Sequence, residues 1–254
     1  MEMIFIGTGS GRASLKRWFT STLFQHQDFT LMIDAGDGVS RALLSAGIPY
    51  NEIDAIIFTH FHPDHLNGIS SLLIQMKMQE RKKDLTLIVH ENSLLSFNSF
   101  LRINNISKEK MEFKLRIFSF RTDSFFKLNG SFGFVPRLNS HISASSAGIS
   151  EKPVSSSFML FLDKLKVFYT GDISSREDLY LFKDEKFDIM VSEATHVDFD
   201  LLLEAFNTLS PAKLVLTHID ELTEKNLYEW KSSLPDNLKD KIIIASDGLE
   251  MKLF

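Results

Sequence analysis

The run Thr59-His60-Phe61-His62-Pro63-Asp64-His65 packs three imidazoles and a carboxylate between His60 and His65. Neutral imidazole and carboxylate are the borderline-hard donors that suit Zn²⁺, Mn²⁺ or Fe, so the chemistry this spacing points to is metal binding. A solvated, histidine-rich turn would gain little from lying beside an apolar strand. The stretch Ile53–Phe58 just ahead of it reads as such a strand: short, β-branched and bounded by polar residues. If the chain stays extended, His60 and His62 point to the same side. Pro63 then breaks the extension. Asp64 and His65 stand at the start of a helix expected over Leu66–Gln79 and project from another direction. One segment thus offers two donor pairs, enough to begin two neighbouring metal sites.

The elements that must position these donors follow from the apolar pattern. Strands are expected at Met3–Ile6, Phe19–Gln25, Phe29–Ile33, Ile53–Phe58, Leu85–His90 and Phe132–Val135. Further strands are expected at Ser157–Leu162, Lys166–Tyr169, Ile189–Ser192, Leu214–Leu216 and Ile242–Ala245. Helices are expected near Val39–Ala46, Leu66–Gln79, Ser93–Arg102, Ser175–Phe182, Asp200–Leu209 and Thr223–Ser232. Strands in succession followed by strands alternating with helices fit sheets covered by helices better than an all-β barrel. Two of these strands share an ending: Ile56-Ile57-Phe58-Thr59-His60 and Leu214-Val215-Leu216-Thr217-His218. A third, Val167-Phe168-Tyr169-Thr170-Gly171-Asp172, ends in Gly-Asp. Strand ends are where a layered α/β protein gathers its functional groups, which singles out His60, Asp172 and His218.

Composition narrows the classes. At 254 residues and 44% hydrophobic, the chain can bury a large core, and a single domain over 1–254 is expected. The 23 Phe are explained by core packing. Cysteine is absent, so disulfides and thiolate metal sites are excluded and any metal must be held by His, Asp and Glu. No apolar stretch of about eighteen residues and no charged-then-apolar leader is seen, which makes the cytoplasm the expected location. The net charge of −5 argues against holding nucleic acid over a broad surface, although a local basic patch is compatible with it.

The His-x-His-x-Asp-His run closely resembles the signature of the metallo-β-lactamase superfamily. The resemblance implies an α/β fold, the αββα four-layer sandwich of two mixed sheets flanked by helices. It also implies two divalent metal ions, with zinc expected and manganese or iron as alternatives. In that scheme His60, His62 and His141 hold one ion, Asp64, His65 and His218 hold the other, and Asp172 bridges. The competing role for Asp172 is a helix N-cap, and for His218 a satisfied core histidine. Between Asp64 and Asp172 only His90 and His141 are available. His90 ends a strand and could cap the following helix, whereas His141 stands where the superfamily places its third imidazole. Asp34, in Ile33-Asp34-Ala35-Gly36-Asp37-Gly38, resembles the early Asp of the superfamily and reads as the acceptor that orients a ligand imidazole. A plain turn carboxylate is the other reading.

Two such ions about 3.5–4 Å apart would share a water and supply a bridging hydroxide at neutral pH. His62, where a Glu would have suggested the flavodiiron branch, favours a hydrolase. The lack of Cys disfavours the lactam-destroying branch with a Cys ligand. The opening Phe5-Ile6-Gly7-Thr8-Gly9-Ser10-Gly11, the Asp34 segment and Ser192-Glu193-Ala194-Thr195 resemble the ribonuclease Z-like and cyclic-phosphate phosphodiesterase branch. The glycines do not form a dinucleotide-binding fingerprint, since position 12 is Arg. Ribonuclease Z enzymes usually carry a Gly- and basic-rich arm and a later His-x-Ser/Thr motif, and neither is seen here. The expected activity is therefore a phosphodiesterase acting on a small or cyclic phosphodiester, with Asp64 and Asp172 in the catalytic machinery. His196 is the candidate proton donor to the leaving oxygen, against a plain surface role beside Asp198. A ribonuclease Z-like tRNA 3′-processing endonuclease acting on RNA, and a glyoxalase II-like thioesterase, are the alternatives. From another class, a metal-binding sensor module would have no need of the bridging Asp172. The loops Thr8–Trp18, Phe97–Lys110 and His141–Pro153 are expected to shape the substrate, and no membrane partner is expected. The oligomeric state stays open, with a homodimer the commonest assembly.

Overall fold

Short runs of β-branched and aromatic residues become strands, and the amphipathic stretches between them become the helices that cover those strands. The computed structural model describes residues 1–142 and 152–253, so residues 143–151 of the His141–Pro153 loop lie outside the described part. Among the described residues the strands are β1 (Glu2–Gly7), β2 (Ser21–His26), β3 (Phe29–Ile33), β4 (Ala55–Ile57), β5 (Leu85–His90), β6 (Leu115–Phe120) and β7 (Phe126–Lys127). They continue as β8 (Phe132–Asn139), β9 (Ser155–Leu162), β10 (Leu165–Tyr169), β11 (Ile189–Glu193), β12 (Lys213–Thr217), β13 (Ile242–Ile244) and β14 (Leu249–Lys252). They form two seven-stranded mixed sheets, each within its own unit of the chain.

Among the described residues the first unit comprises 1–120, 152–153 and 246–253 and contains the sheet ordered β14-β1-β2-β3-β4-β5-β6. Its first strands pair antiparallel, while β3 to β6 run parallel. Parallel strands need crossovers, and helices α1 (Val39–Ser45), α2 (Pro63–Leu66), α3 (Gly68–Met78) and α4 (Leu94–Ile103) lie in these connections. Leu43, Leu72, Leu73, Met76 and Phe97 from the helices bury against Met32, Ile56 and Leu87 of the strands in one apolar cluster. The strand before His60 is buried at all three of its residues, as the short apolar run predicts.

The second unit comprises residues 121–142 and 154–245, with the sheet ordered β13-β12-β11-β10-β9-β8-β7. Strands β7 to β10 are joined antiparallel and β10 to β13 run parallel. Helices α5 (Phe199–Leu209) and α6 (Glu224–Ser233) cover this parallel half. Leu202, Ala205, Phe206 and Leu227 bury there against Met190, Leu214 and Leu216. Each unit therefore ends its parallel strands with a chemical group: Asp34 after β3, Thr59-His60 after β4, Asp172 after β10, Glu193 in β11 and His218 after β12.

Every strand expected from the sequence forms, with ends shifted by a few residues. Strands β6, β7 and β14 were not expected. Arg116 in β6 and Glu250 and Lys252 in β14 interrupt the apolar pattern, which is tolerated because both strands are sheet edges. The helix expected over Ser175–Phe182 is instead a short 3₁₀ turn, Arg176–Tyr180. The Asp178 carboxylate captures the backbone N–H groups of Ser174 and Ser175 and tightens that turn. The helix expected from Leu66 begins earlier, with Pro63 at its first position, and is divided at Asn67.

Candidate functional site

In the first unit, the chain leaves β4 and turns at once, bringing the His60 ring to 4.5 Å from that of His62 and 4.1 Å from that of His65, centroid to centroid. His60 and His65 are 2% and 1% exposed, and Asp64 Oδ2 lies 3.5 Å from His65 Nε2. All four donors of the His60–His65 run thus gather in one place. Asp34 orients His65 directly and His60 through Thr59. Its Oδ2 is 2.8 Å from His65 Nδ1, and it accepts hydrogen bonds from the Thr59 backbone N–H and hydroxyl, both at 2.8 Å. The Thr59 hydroxyl also lies 3.0 Å from His60 Nδ1. With Nδ1 occupied in this way, Nε2 is the nitrogen that each ring presents as a donor. Complete burial pushes the Asp34 carboxyl above its ordinary range, opposed by the neighbouring His65 and the Thr59 donors.

Backbone packing holds this arrangement. Asp34 takes a left-handed conformation at φ 61°, which Asp tolerates better than most residues. The next residue, Ala35, donates its N–H to His65 O at 2.7 Å, and Gly68 N–H donates back to Ala35 O at 2.9 Å. No side chain fits between these segments: a Cβ on Gly36 would stand 2.3 Å from Asp64 O, and one on Gly68 would stand 2.1 Å from Gly36 O. The two glycines are therefore required by close backbone approach at the histidine run.

In the second unit, three strand ends and one loop converge. Asp172, 2% exposed, places Oδ2 at 3.1 Å from His218 Nε2 and 3.6 Å from His141 Nε2. Asp172 is not a helix cap; Ser175 takes that role. The His196 ring lies 5.1 Å from His141 and 5.5 Å from His218. One donor atom from each of His141, Asp172 and His196 falls within 4.8 Å of the others, and the same holds for Glu193, His196 and His218. Metal–ligand bonds of about 2.0–2.2 Å put donors on one tetrahedral ion roughly 3.3–3.6 Å apart, so small side-chain shifts would bring these groups onto an ion.

Glu193 is the residue whose role the sequence did not disclose. It is 1% exposed at the end of β11, and it accepts from the backbone N–H groups of Ile173, Thr195 and His196 at 3.2, 2.8 and 2.8 Å. Its Oε1 also lies 3.0 Å from His196 Nδ1. This carboxylate holds the imidazole so that Nε2 points away from it, and the His196 side chain is 39% exposed. A Glu closing an apolar strand three residues before a His was the available signal.

His90 has a different place. Its Nδ1 accepts the Asn92 backbone N–H at 3.1 Å and so caps the turn after β5. Burial lowers its imidazole pKa, against the opposing pull of Glu91. Below the ordinary histidine value of about 6.5, the unfolded chain takes up a proton that folded His90 resists, so this group's contribution to stability falls as the pH drops. Urea midpoints measured from pH 7.5 down to 5.5 are expected to decline less steeply in His90→Gln than in the native chain. Parallel slopes would contradict this.

Residues 1–242 match the family described as Anti-Pycsar protein Apyc1. The ribonuclease Z of Aeropyrum pernix is 39% identical over 95 residues, which cover 37% of this chain and 31% of that protein. The chain thus spans under a third of that relative's length. The metallo-beta-lactamase fold protein YhfI from Bacillus subtilis superposes with a TM-score of 0.78 at 19% identity, covering 98% of both chains. The short form of human tRNase Z does so at 0.75 and 15% identity, covering 100% of this chain and 99% of that one. At these identities the likeness is one of fold, and the two helix-flanked mixed sheets are a metallo-β-lactamase fold. Since the family match runs through the donors of both units, the chain belongs to the Anti-Pycsar protein Apyc1 family.

Proposed function

We propose that this chain is a dinuclear, metal-dependent phosphodiesterase acting on a small or cyclic phosphodiester. In the proposal His60, His62 and His141 hold one ion, Asp64, His65 and His218 hold the other, and Asp172 bridges. The reading rests above all on one observation: within each unit, imidazoles and buried carboxylates gather at strand ends, with the ring of His65 set by Asp34 and that of His196 by Glu193. The donor chemistry fits divalent ions, being nitrogen and oxygen throughout in a chain without cysteine. Zinc and a cytoplasmic setting are the finer parts of the same proposal; no helix among the described residues is long and apolar enough to cross a membrane. When bound, such a pair of ions supplies Lewis acidity toward the phosphoryl oxygens and a nucleophile at neutral pH.

The chain's own residues do the rest. Asp34 occupies His65 Nδ1 and would leave Nε2 to ligate, and Thr59 does the same for His60. Glu193 holds His196 through Nδ1, leaving Nε2 to give a proton to the departing oxygen. Under this reading, the anti-Pycsar action for which the family is described is hydrolytic.

Removing a proton donor matters only when the leaving group needs the proton. His196→Gln is expected to slow hydrolysis of an alkyl or ribose phosphodiester about 10²–10⁴-fold. It should slow a p-nitrophenyl ester far less. Glu193→Gln should show the same selectivity at smaller amplitude, and equal loss on both substrates would remove His196 from this role.

A ribonuclease Z-like endonuclease is the second reading, favoured by the 39% identity over 95 residues to the Aeropyrum pernix protein. The two are separated by offering the metal-reconstituted chain a set of cyclic nucleotides and a precursor tRNA. Turnover of a cyclic nucleotide supports the first reading. Cleavage of the precursor with no cyclic nucleotide turned over would replace it with the second.

A further inference from the structure

We infer that Asp178 is a positioning residue for the metal donors of the second unit, one carboxylate that sets the chain at both His141 and Asp172. The inference rests on the reading of those two residues as metal donors. Asp178 is 4% exposed. Its Oδ1 accepts the Ser140 N–H at 3.0 Å, and its Oδ2 accepts the Ser140 hydroxyl at 2.5 Å. The same Oδ2 accepts the N–H groups of Ser174 and Ser175, both at 3.1 Å. Ser140 immediately precedes His141, and Ser174 lies two residues beyond Asp172.

The cap of the Arg176–Tyr180 turn accounts for only part of this. A capping box needs the Ser175 backbone N–H to reach the Asp178 side chain and the Ser175 hydroxyl to take a backbone N–H in return, and both are present. The two bonds from Ser140 add nothing to the cap. They reach 38 residues back along the chain and tie the end of β8 to the loop after β10. Asn139 completes the hold by accepting the His141 N–H at 3.2 Å while its amide donates to Ser157 and to Thr170 O. His141 Nε2 and Asp172 Oδ2, 3.6 Å apart, thus owe their spacing to backbone segments that share one anchor. Partners that orient metal ligands typically change metal affinity 10–100-fold when removed.

The test is a Zn²⁺ titration of the metal-stripped full chain, repeated with Co²⁺, whose visible spectrum reports coordination geometry. Asp178→Asn keeps the side-chain volume but replaces one acceptor oxygen by a donor, so the anchor cannot be kept whole. Its affinity for at least one ion is expected to fall about 10–100-fold, with an altered Co²⁺ spectrum. Ser140→Ala, which leaves the cap intact, should show a smaller loss with nearly native melting. Ser175→Ala, which damages the cap alone, should melt lower and bind metal normally. If Asp178→Asn does not fold, Ser140→Ala decides the matter. Native affinity and spectrum in Ser140→Ala and in any folded Asp178→Asn would overturn the inference and leave Asp178 a helix cap. A native chain that takes up no Zn²⁺ would overturn the metal reading itself, and the inference with it.

Discussion

Asp172→Ala is expected to lower hydrolysis of bis-p-nitrophenyl phosphate by the reconstituted chain about 10³-fold or more, with metal content falling below two per chain. The residue is 2% exposed at the end of a parallel strand and faces two imidazoles, His218 at 3.1 Å and His141 at 3.6 Å. Stabilising charge at a transferring phosphoryl group is worth several kcal/mol when metal ions supply it, and each 1.36 kcal/mol is about a factor of ten in rate. Loss of the carboxylate placed between His218 and His141 would remove an anchor for the ion and with it that contribution. The fold should not suffer: a carboxylate buried for function costs desolvation, so the metal-free variant should melt no lower than the metal-free native chain. Native rate with native metal content would exclude Asp172 from the centre.

The second large effect is on stability. Arg81 is 1% exposed, and its guanidinium donates to five backbone carbonyls: Lys83 at 2.7 Å, Tyr50 at 3.4 Å, Asn51 at 3.0 Å, Ile53 at 2.6 Å and Asp84 at 2.7 Å. It lies over the Phe113 ring at 5.5 Å. Burial lowers its pKa to about 10, which still leaves it charged at neutral pH, with Asp54 and Asp84 supporting the charged form. The side chain ties the end of α3 to the segment that feeds β4 and to the start of β5. Arg81→Leu orphans buried carbonyls and is expected to cost about 3–5 kcal/mol in urea unfolding. Arg81→Lys should recover little of this, because a point charge cannot serve the fork of acceptors. A loss below about 1 kcal/mol in Arg81→Leu would show that the carbonyls find other partners.

What could be read from the sequence was what is local. The His60–His65 run, the Thr-His endings of β4 and β12, and the Gly-Asp after β10 announce themselves because donors at the ends of buried strands interrupt an apolar pattern. Asp34 was legible for the same reason, and it stands against His65 as an orienting acceptor should. Edge strands β6 and β14 were not, since charged residues erase the alternation that reveals a strand. The hold of Glu193 on His196 depends on how the chain turns after β11, and that of Asp178 on Ser140 joins residues 38 apart. Arg81 carried no signal at all: an arginine after a helix ordinarily reads as solvated, and only the carbonyls folded around it explain its burial.

The most direct test of the account is the metal content of the purified, reconstituted chain, measured by elemental mass spectrometry beside its turnover of bis-p-nitrophenyl phosphate. Two divalent ions per chain, with hydrolysis lost on chelation and regained on adding the metal back, is the predicted result. A chain that retains no metal, or one that hydrolyses the ester equally well after chelation, would contradict the account at its centre.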